Sequence, residues 1–286
     1  MNKGFESVSD ILNRAFQHWQ VHQPLNDLKI LPTRCPQRNI SYLPTIMTRL
    51  SPFFPISKRQ MKIDSISEPI IIENPWGRII ITGRRLSIYD ETVMLSLMAL
   101  LKRTGSNTIR TTPYELCKIM GVNTARDTYN AILKSLYRMS QSHITIERKV
   151  SRSNDAQKEM DGLIIIDITK NEESRKMILE LNPYFLSSFR NRLITPIDIK
   201  LRSELRGDIA KALYRFFEGQ RANCYTINIV KLSKAINLDC HRQMYSLRWG
   251  MRKAMRELEV QGYLRRFILP DKGNVVAIFK SRYREL

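Results

Sequence analysis

The sequence predicts an α+β chain in which two tandem winged-helix domains, each a helix-turn-helix followed by a β wing, stand behind an irregular N-terminal extension. Three observations predict it. A short capped helix, a glycine and a longer amphipathic helix follow one another at 112–139. The same order returns at 228–260, with an asparagine where the glycine stood. Behind each long helix lie two β-branched runs separated by polar or turn residues, the signal of a hairpin. At 286 residues the chain has room for two domains and an extension, with expected bounds of 1–67, 68–172 and 173–286.

The extension begins with a short amphipathic stretch from Phe5 to Trp19. It continues through Pro24, Pro32, Pro36, Pro44, Pro52 and Pro55, a density that interrupts helices and ladders alike. Leu43, Ile46, Leu50, Phe53 and Phe54 are the apolar anchors expected to dock it on the first domain. His18 and His22 have the spacing of a helical metal pair, but no third ligand accompanies them, so a solvated face is the better reading. No metal or cofactor is expected.

From Pro69 the pattern becomes Ile70-Ile71-Ile72, a turn at Asn74-Pro75-Trp76-Gly77, and Ile79-Ile80-Ile81, which predicts a β-hairpin. Ser87 with Asp90 forms a capping-box pattern. The helix it opens carries Val93, Leu95, Leu97, Met98, Leu100 and Leu101 and closes at Gly105. Thr112-Pro113-Tyr114-Glu115 then supplies a cap, a first-turn proline and an acid to a short helix whose buried face is Leu116, Ile119 and Met120. Gly121 stops it. After Val122-Asn123-Thr124 a longer helix runs to Met139, with Ala125, Tyr129, Ile132, Leu136 and Met139 on one side. His143–Arg148 and Leu163–Ile168 are expected to pair as the wing, with Arg148, Lys149, Arg152 and Lys158 at its tip.

In the second domain Met177–Leu181 reads as an extended lead-in and Ser203–Glu218 as one helix. Asn228 caps a helix through Ile236, Asn237 makes the turn, and a longer helix spans His241 to Val260. Strands at 263–268 and 275–279, turned by Pro270-Asp271-Lys272-Gly273, complete the unit. Lys118–Asn123 and Lys234–Asp239 hold equivalent places, which suggests an internal duplication.

A net charge of +20 and a pI near 10.0 call for a polyanionic partner. With no apolar run long enough for a membrane span and no secretory pattern at the N-terminus, nucleic acid is preferred to a membrane and the expected location is the cytoplasm. Cys35, Cys117, Cys224 and Cys240 are scattered and read as reduced thiols. The chain has no G-x-x-x-x-G-K-S/T loop, no histidine pair of the nicking-enzyme kind and no clustered acids around Asp167 or Glu180, so the reading is a binding protein and not an enzyme.

The second helix of each motif should enter the major groove of double-stranded DNA. In the second domain the apolar stripe of Met244, Leu247, Met251, Ala254 and Leu258 turns Arg242, Tyr245, Ser246, Trp249, Lys253 and Arg256 outward. Arg242, Gln243 and Ser246 are the candidate base readers. Lys253, Arg256, Arg265, Arg266 and Lys272 are the candidate phosphate contacts. Tyr245 and Trp249 could touch a sugar or a thymine methyl, but packing beneath the wing is the favoured expectation for them. In the first domain Asn123, Thr124, Asp127, Asn130, Lys134 and Arg138 should face outward with Arg126 at the edge, a less basic surface.

Thr82-Gly83-Arg84-Arg85-Leu86 running through Asp90 into an apolar helix, Leu181-Asn182-Pro183 between the domains, and Arg49-Leu50-Ser51-Pro52-Phe53-Phe54 before the hairpin occur in an order that resembles the TrfA-like and RepC-like plasmid replication initiators. The resemblance covers residue 40 to the end. It implies binding to directly repeated origin sites (iterons), opening of an adjacent A·T-rich segment, recruitment of host DnaA and replicative helicase, and a homodimer through the first domain that restrains copy number. The chain departs from the clamp-binding pentapeptide of one branch, having Arg49 where glutamine stands there and Pro52 in the middle. A tandem winged-helix transcriptional repressor is the main alternative, and a protein-binding scaffold is disfavoured by the charge.

Overall fold

The computed structural model describes residues 40–56, 65–149, 156–171, 176–238, 243–271 and 274–281. Phe5–Trp19, His18, His22, Cys35, Cys240, Arg152, Arg242 and Lys272 therefore lie outside the described residues. No helix of the described residues is long and apolar enough to cross a membrane.

The extension is woven into the fold. Strand β1 (Ile40–Pro44) pairs antiparallel with β11 (Ile194–Asp198), and β2 (Phe53–Phe54) pairs parallel with β5 (Leu86–Ser87). Leu43, Leu50, Phe53 and Phe54 are buried and Ile46 is half-buried, as anchors should be. Their target differs from expectation, because the segment bridges both halves of the chain. Arg49 Nη2 donates to the Gly219 carbonyl at 2.8 Å, and Asn237 Nδ2 donates to the carbonyls of Ser51 at 2.6 Å and Phe53 at 3.1 Å. The carbonyls of Ser51 and Phe53 thus find a side-chain donor from the second half of the chain.

The predicted leading hairpin is present as β3 (Ser65–Asn74) and β4 (Gly77–Arg84). Gly77, with φ of +151°, lies so close to the neighbouring strand that a Cβ would collide with the Glu147 carbonyl. Helix α1 (Ile88–Thr104) has the complete Ser87–Asp90 capping box and ends on left-handed Gly105. It is the central element of the core, with Val93, Met94, Leu95, Leu97, Met98, Leu100 and Leu101 all buried.

Helix α2 (Pro113–Met120), capped by the Thr112 hydroxyl and ended by left-handed Gly121, and helix α3 (Arg126–Met139) form the first helix-turn-helix as predicted. The wing differs. β7 (His143–Lys149) pairs with β8 (Ala156–Leu163), not with the apolar run that follows. This register sets Met160 against Ile146, which faces Ile79 on β4, and all three are buried. An edge strand needs few inward apolar residues, so β8 reads as polar loop in the sequence. The apolar run itself is β9 (Ile165–Asn171). It pairs with β10 (Lys176–Leu181), which also pairs with β6 (Thr108–Thr111). Met177–Leu181 is therefore no lead-in to the second half, and the expected boundary at 172 falls between two strands that are hydrogen-bonded to each other.

After α4 (Pro183–Arg190) and β11, the single helix expected over 203–218 is two, α5 (Ile199–Glu204) and α6 (Asp208–Glu218). The break at Gly207 is held by Glu257, whose carboxylate accepts the Gly207 N–H at 3.1 Å and also that of Arg206. β12 (Cys224–Asn228), α7 (Ile229–Ala235) with its Asn228 cap, left-handed Asn237, α8 (Met244–Val260), β13 (Leu264–Ile268) and β14 (Val275–Lys280) make the second helix-turn-helix and wing. The sheet order is β12-β14-β13. Helix α8 packs on α6, where Gly250 meets the Ile209 side chain across the contact.

The two halves are joined through a buried ion cluster. Glu91 of α1, wholly inaccessible, pairs with Arg215 of α6 and lies 3.2 Å from Arg202 of α5, both arginines being at most 1% exposed. Burial pushes the Arg215 guanidinium below its ordinary pKa and Glu91 opposes the shift.

Candidate nucleic-acid interface

Helix α8 is sided by its sequence. Leu247, Met251, Ala254, Met255 and Leu258 are buried, and the opposite face presents Tyr245, Ser246, Trp249, Lys253 and Arg256 to solvent. Gln243, at the N-cap, is exposed and makes no side-chain capping bond, so its amide is free to act elsewhere. Over Met244–Arg256 the helix carries four basic residues and no acid. Tyr245 is 81% and Trp249 59% exposed, which corrects the expectation that they pack beneath the wing. The Lys253 ammonium sits 5.5 Å from the centre of the Trp249 ring.

What occupies the space near the wing is a pair of arginines that sequence reasoning missed. Arg248 donates to the Asp271 carbonyl and, at 3.2 Å, to Asn274 Oδ1. Arg252 donates to the Leu269 carbonyl at 3.2 Å and to Asp271 Oδ1 at 2.6 Å. One turn apart on α8, the two guanidiniums tie the wing's turn to the helix. The available signal was their position on the flank between the apolar stripe and the outward face. Arg265 and Arg266, on β13 beside that turn, are both exposed.

The first helix-turn-helix presents a different surface. Asn123, Thr124, Arg126, Asp127, Asn130 and Lys134 are exposed as predicted, although the Asn123 amide oxygen already accepts from the Thr128 hydroxyl at 2.6 Å. Arg138 is not on this face. Its guanidinium meets the buried Asp90 carboxylate, with Nη2 2.6 Å from Oδ1 and Nε 3.2 Å from both oxygens. The reason is electrostatic: Asp90 closes the capping box of α1 in the core, and a buried carboxylate requires a countercharge. In the wing Lys149 is exposed, while Arg148 Nε pairs with Glu159 at 2.8 Å and Nη2 donates to Gln157 at 3.0 Å. Lys158 bonds Asp161 at 3.0 Å. Two of the cations expected to line the wing are thus engaged within the sheet.

Among the described residues no group of three His, Cys, Asp or Glu side chains could hold a metal ion. Of the cysteines described, Cys117 is buried and Cys224 exposed, and neither is disulfide-bonded.

Residues 74–257 match the family described as Replication initiator protein A. No curated protein matches the chain in sequence. Among solved structures, a crystal structure of domains 2 and 3 of RctB is similar over 83% of this chain and 98% of that one, with a TM-score of 0.55 and 12% identity. A second structure of RctB domains 2–3 covers 76% of this chain and 92% of its own, with a TM-score of 0.51 and 12% identity. The Pi initiator protein in complex with iteron DNA aligns with a TM-score of 0.45 and 13% identity, over 67% of this chain and 89% of that one. The likeness to RctB is one of fold.

Proposed function

Because the chain belongs to the Replication initiator protein A family, we propose that it binds repeated double-stranded sites at a replication origin, placing α8 and α3 in successive major grooves. The single observation that supports this most is the solvent face of α8: aromatic and basic side chains, no acid before Glu257, and a wing tied to the same helix by Arg248 and Arg252. Gln243 and Ser246 read base edges, as would Arg242, while Lys253, Arg256, Arg265, Arg266 and Lys272 contact phosphate and make affinity fall with salt. Asn123, Thr124, Arg126, Asn130, Lys134 and Lys149 form a second, weaker contact whose linkage to the first raises the effective concentration of each.

Several copies bound in phase on tandem repeats would bend the duplex and favour opening of a neighbouring A·T-rich tract, where host DnaA and the replicative helicase are recruited. A dimer through the first winged helix would remove copies from this pool. The test supplies the gene in trans to a plasmid lacking its own initiator but carrying direct repeats of roughly two helical turns beside such a tract. Replication is the expected result. Repeat binding without replication would overturn initiation in favour of a repressor, and absence of specific binding would overturn the DNA reading itself.

A further inference from the structure

On the outward face of α8 the two largest exposed side chains are aromatic, which is unusual for a surface otherwise dominated by cations. Tyr245 and Trp249 stand one helical turn apart, 81% and 59% exposed, at the N-terminal end that a recognition helix presents to base edges. Aromatic rings left mostly in solvent on two successive helical turns forgo the gain of burial, and a partner of matching chemistry supplies it. The charge of the same unit specifies where that partner lies: Lys253 sits against the Trp249 ring, Arg256 on α8 and Arg265 and Arg266 on β13 are exposed, and no acid occurs on α8 before Glu257. Within the major groove of a polyanionic duplex the apolar group on offer is the thymine 5-methyl.

We propose that Tyr245 and Trp249 are specificity-determining residues that read thymine methyl groups at two nearby positions of the DNA site. The inference rests on the DNA-binding reading given above and deepens it. Along the helix the two side chains are one turn apart, roughly 5 to 6 Å, which corresponds to about two base-pair steps of B-form DNA. Lys253 completes the arrangement. Its ammonium lies against the Trp249 ring, which limits the ring's freedom and places a cation beside the apolar contact. Arg248 and Arg252 leave this face clear, since both are turned to the wing.

The experiment selects bound duplexes from a randomised pool with the full chain, then replaces each thymine of a recovered site by uracil, which removes one methyl and leaves the hydrogen-bonding groups in place. At two positions the wild type should lose about fourfold in affinity per methyl removed, the factor that burial of one such group corresponds to. Tyr245→Ala should abolish the loss at one of these positions and Trp249→Ala at the other, while Trp249→Phe retains it in part. Thermal melts confirm that the variants fold. Equal binding of thymine and uracil duplexes by the wild type overturns the inference and leaves the DNA reading intact. So does unchanged uracil sensitivity in both alanine variants, or tighter binding to a single strand than to the duplex, which would make the rings a stacking platform. If no duplex is enriched from the pool, both the inference and the reading beneath it fall.

Discussion

The two helix-turn-helix units share an order of elements but dispose of their charged side chains in opposite ways. On α8 the arginines that turn away from the groove face, Arg248 and Arg252, hold the wing, and Lys253 and Arg256 remain in solvent. On α3 Arg138 turns inward to Asp90, Asp127 stands on the exposed face, and the wing residues Arg148 and Lys158 have carboxylate partners. Net charge is therefore a poor guide to where DNA contacts lie. Free cations matter: among the described residues α8 and β13 present Lys253, Arg256, Arg265 and Arg266, whereas α3 and β7 present Arg126, Lys134 and Lys149 beside the acid Asp127. Between the units, Glu91 with Arg202 and Arg215 shows a third use of charge, as a buried junction that fixes one unit against the other.

The comparison breaks most visibly at that junction. Glu91→Ala leaves two guanidiniums in a site with no access to water, and loss of one partner from a buried cluster costs about 3–5 kcal/mol. Chemical denaturation should show that fall, with both halves affected because the glutamate comes from α1 and the arginines from α5 and α6. A stability change below about 1 kcal/mol would mean that the packing around the cluster, and not the ion pairing, joins the units.

Arg138→Ala separates the inward and outward uses of arginine. Asp90 is fully buried and Arg138 is its ion-pair partner, but the carboxylate keeps its bonds from the Ser87 N–H and hydroxyl, so the substitution should cost about 1–3 kcal/mol of stability, less than the Glu91 substitution. The salt dependence of DNA binding should not change. A reduced salt slope at unaltered stability would restore Arg138 to the phosphate contacts expected from sequence.

Periodicity made much of this legible. The Thr112 cap, the Gly121 stop and the apolar stripe of α8 are local signals, and each led to the observed element. Partner choice was not local. Nothing within residues 156–163 says that they pair with β7, because a single inward residue, Met160, decides the register. The pairing of β1 with β11 joins segments about 150 residues apart, so no window of sequence contains it. Inward charges were misread for the same reason: Arg138 falls on the outward face of a helical wheel, and only the distant Asp90 explains its inward direction. Arg215 did carry a hint, since it sits within the apolar run Ala212–Phe217, where a cation needs a buried countercharge.

The outward cations provide a finer comparison. Substituting Arg256 and Arg266 together by alanine should lower the slope of log affinity against log salt by about 2 and weaken binding to all duplexes alike. The matching pair on the first unit, Arg126 and Lys134, should lower it by about 1 or less, because Asp127 repels the backbone they approach. Fluorescence anisotropy across a salt series measures both. Equal slopes for the two pairs would show that α3 lies as deep in its groove as α8, and the asymmetry between the units would be lost.

The smallest effect isolates the tie between α8 and its wing. Asp271 is exposed, so Arg252→Ala should remove no more than about 1 kcal/mol of stability. Its consequence belongs to dynamics. Without Arg252 the turn loses the bonds to the Leu269 carbonyl and the Asp271 carboxylate while those from Arg248 remain, and the β13–β14 hairpin should open locally more often, seen as faster amide exchange over Val275–Lys280 at unchanged exchange in β7. A wing that opens more often spends less time aligned with the phosphates, so DNA dissociation should quicken while association, steered by the remaining charge, stays the same. Slower association with unchanged dissociation would show instead that Arg252 acts through its own charge, and that the wing holds its place without it.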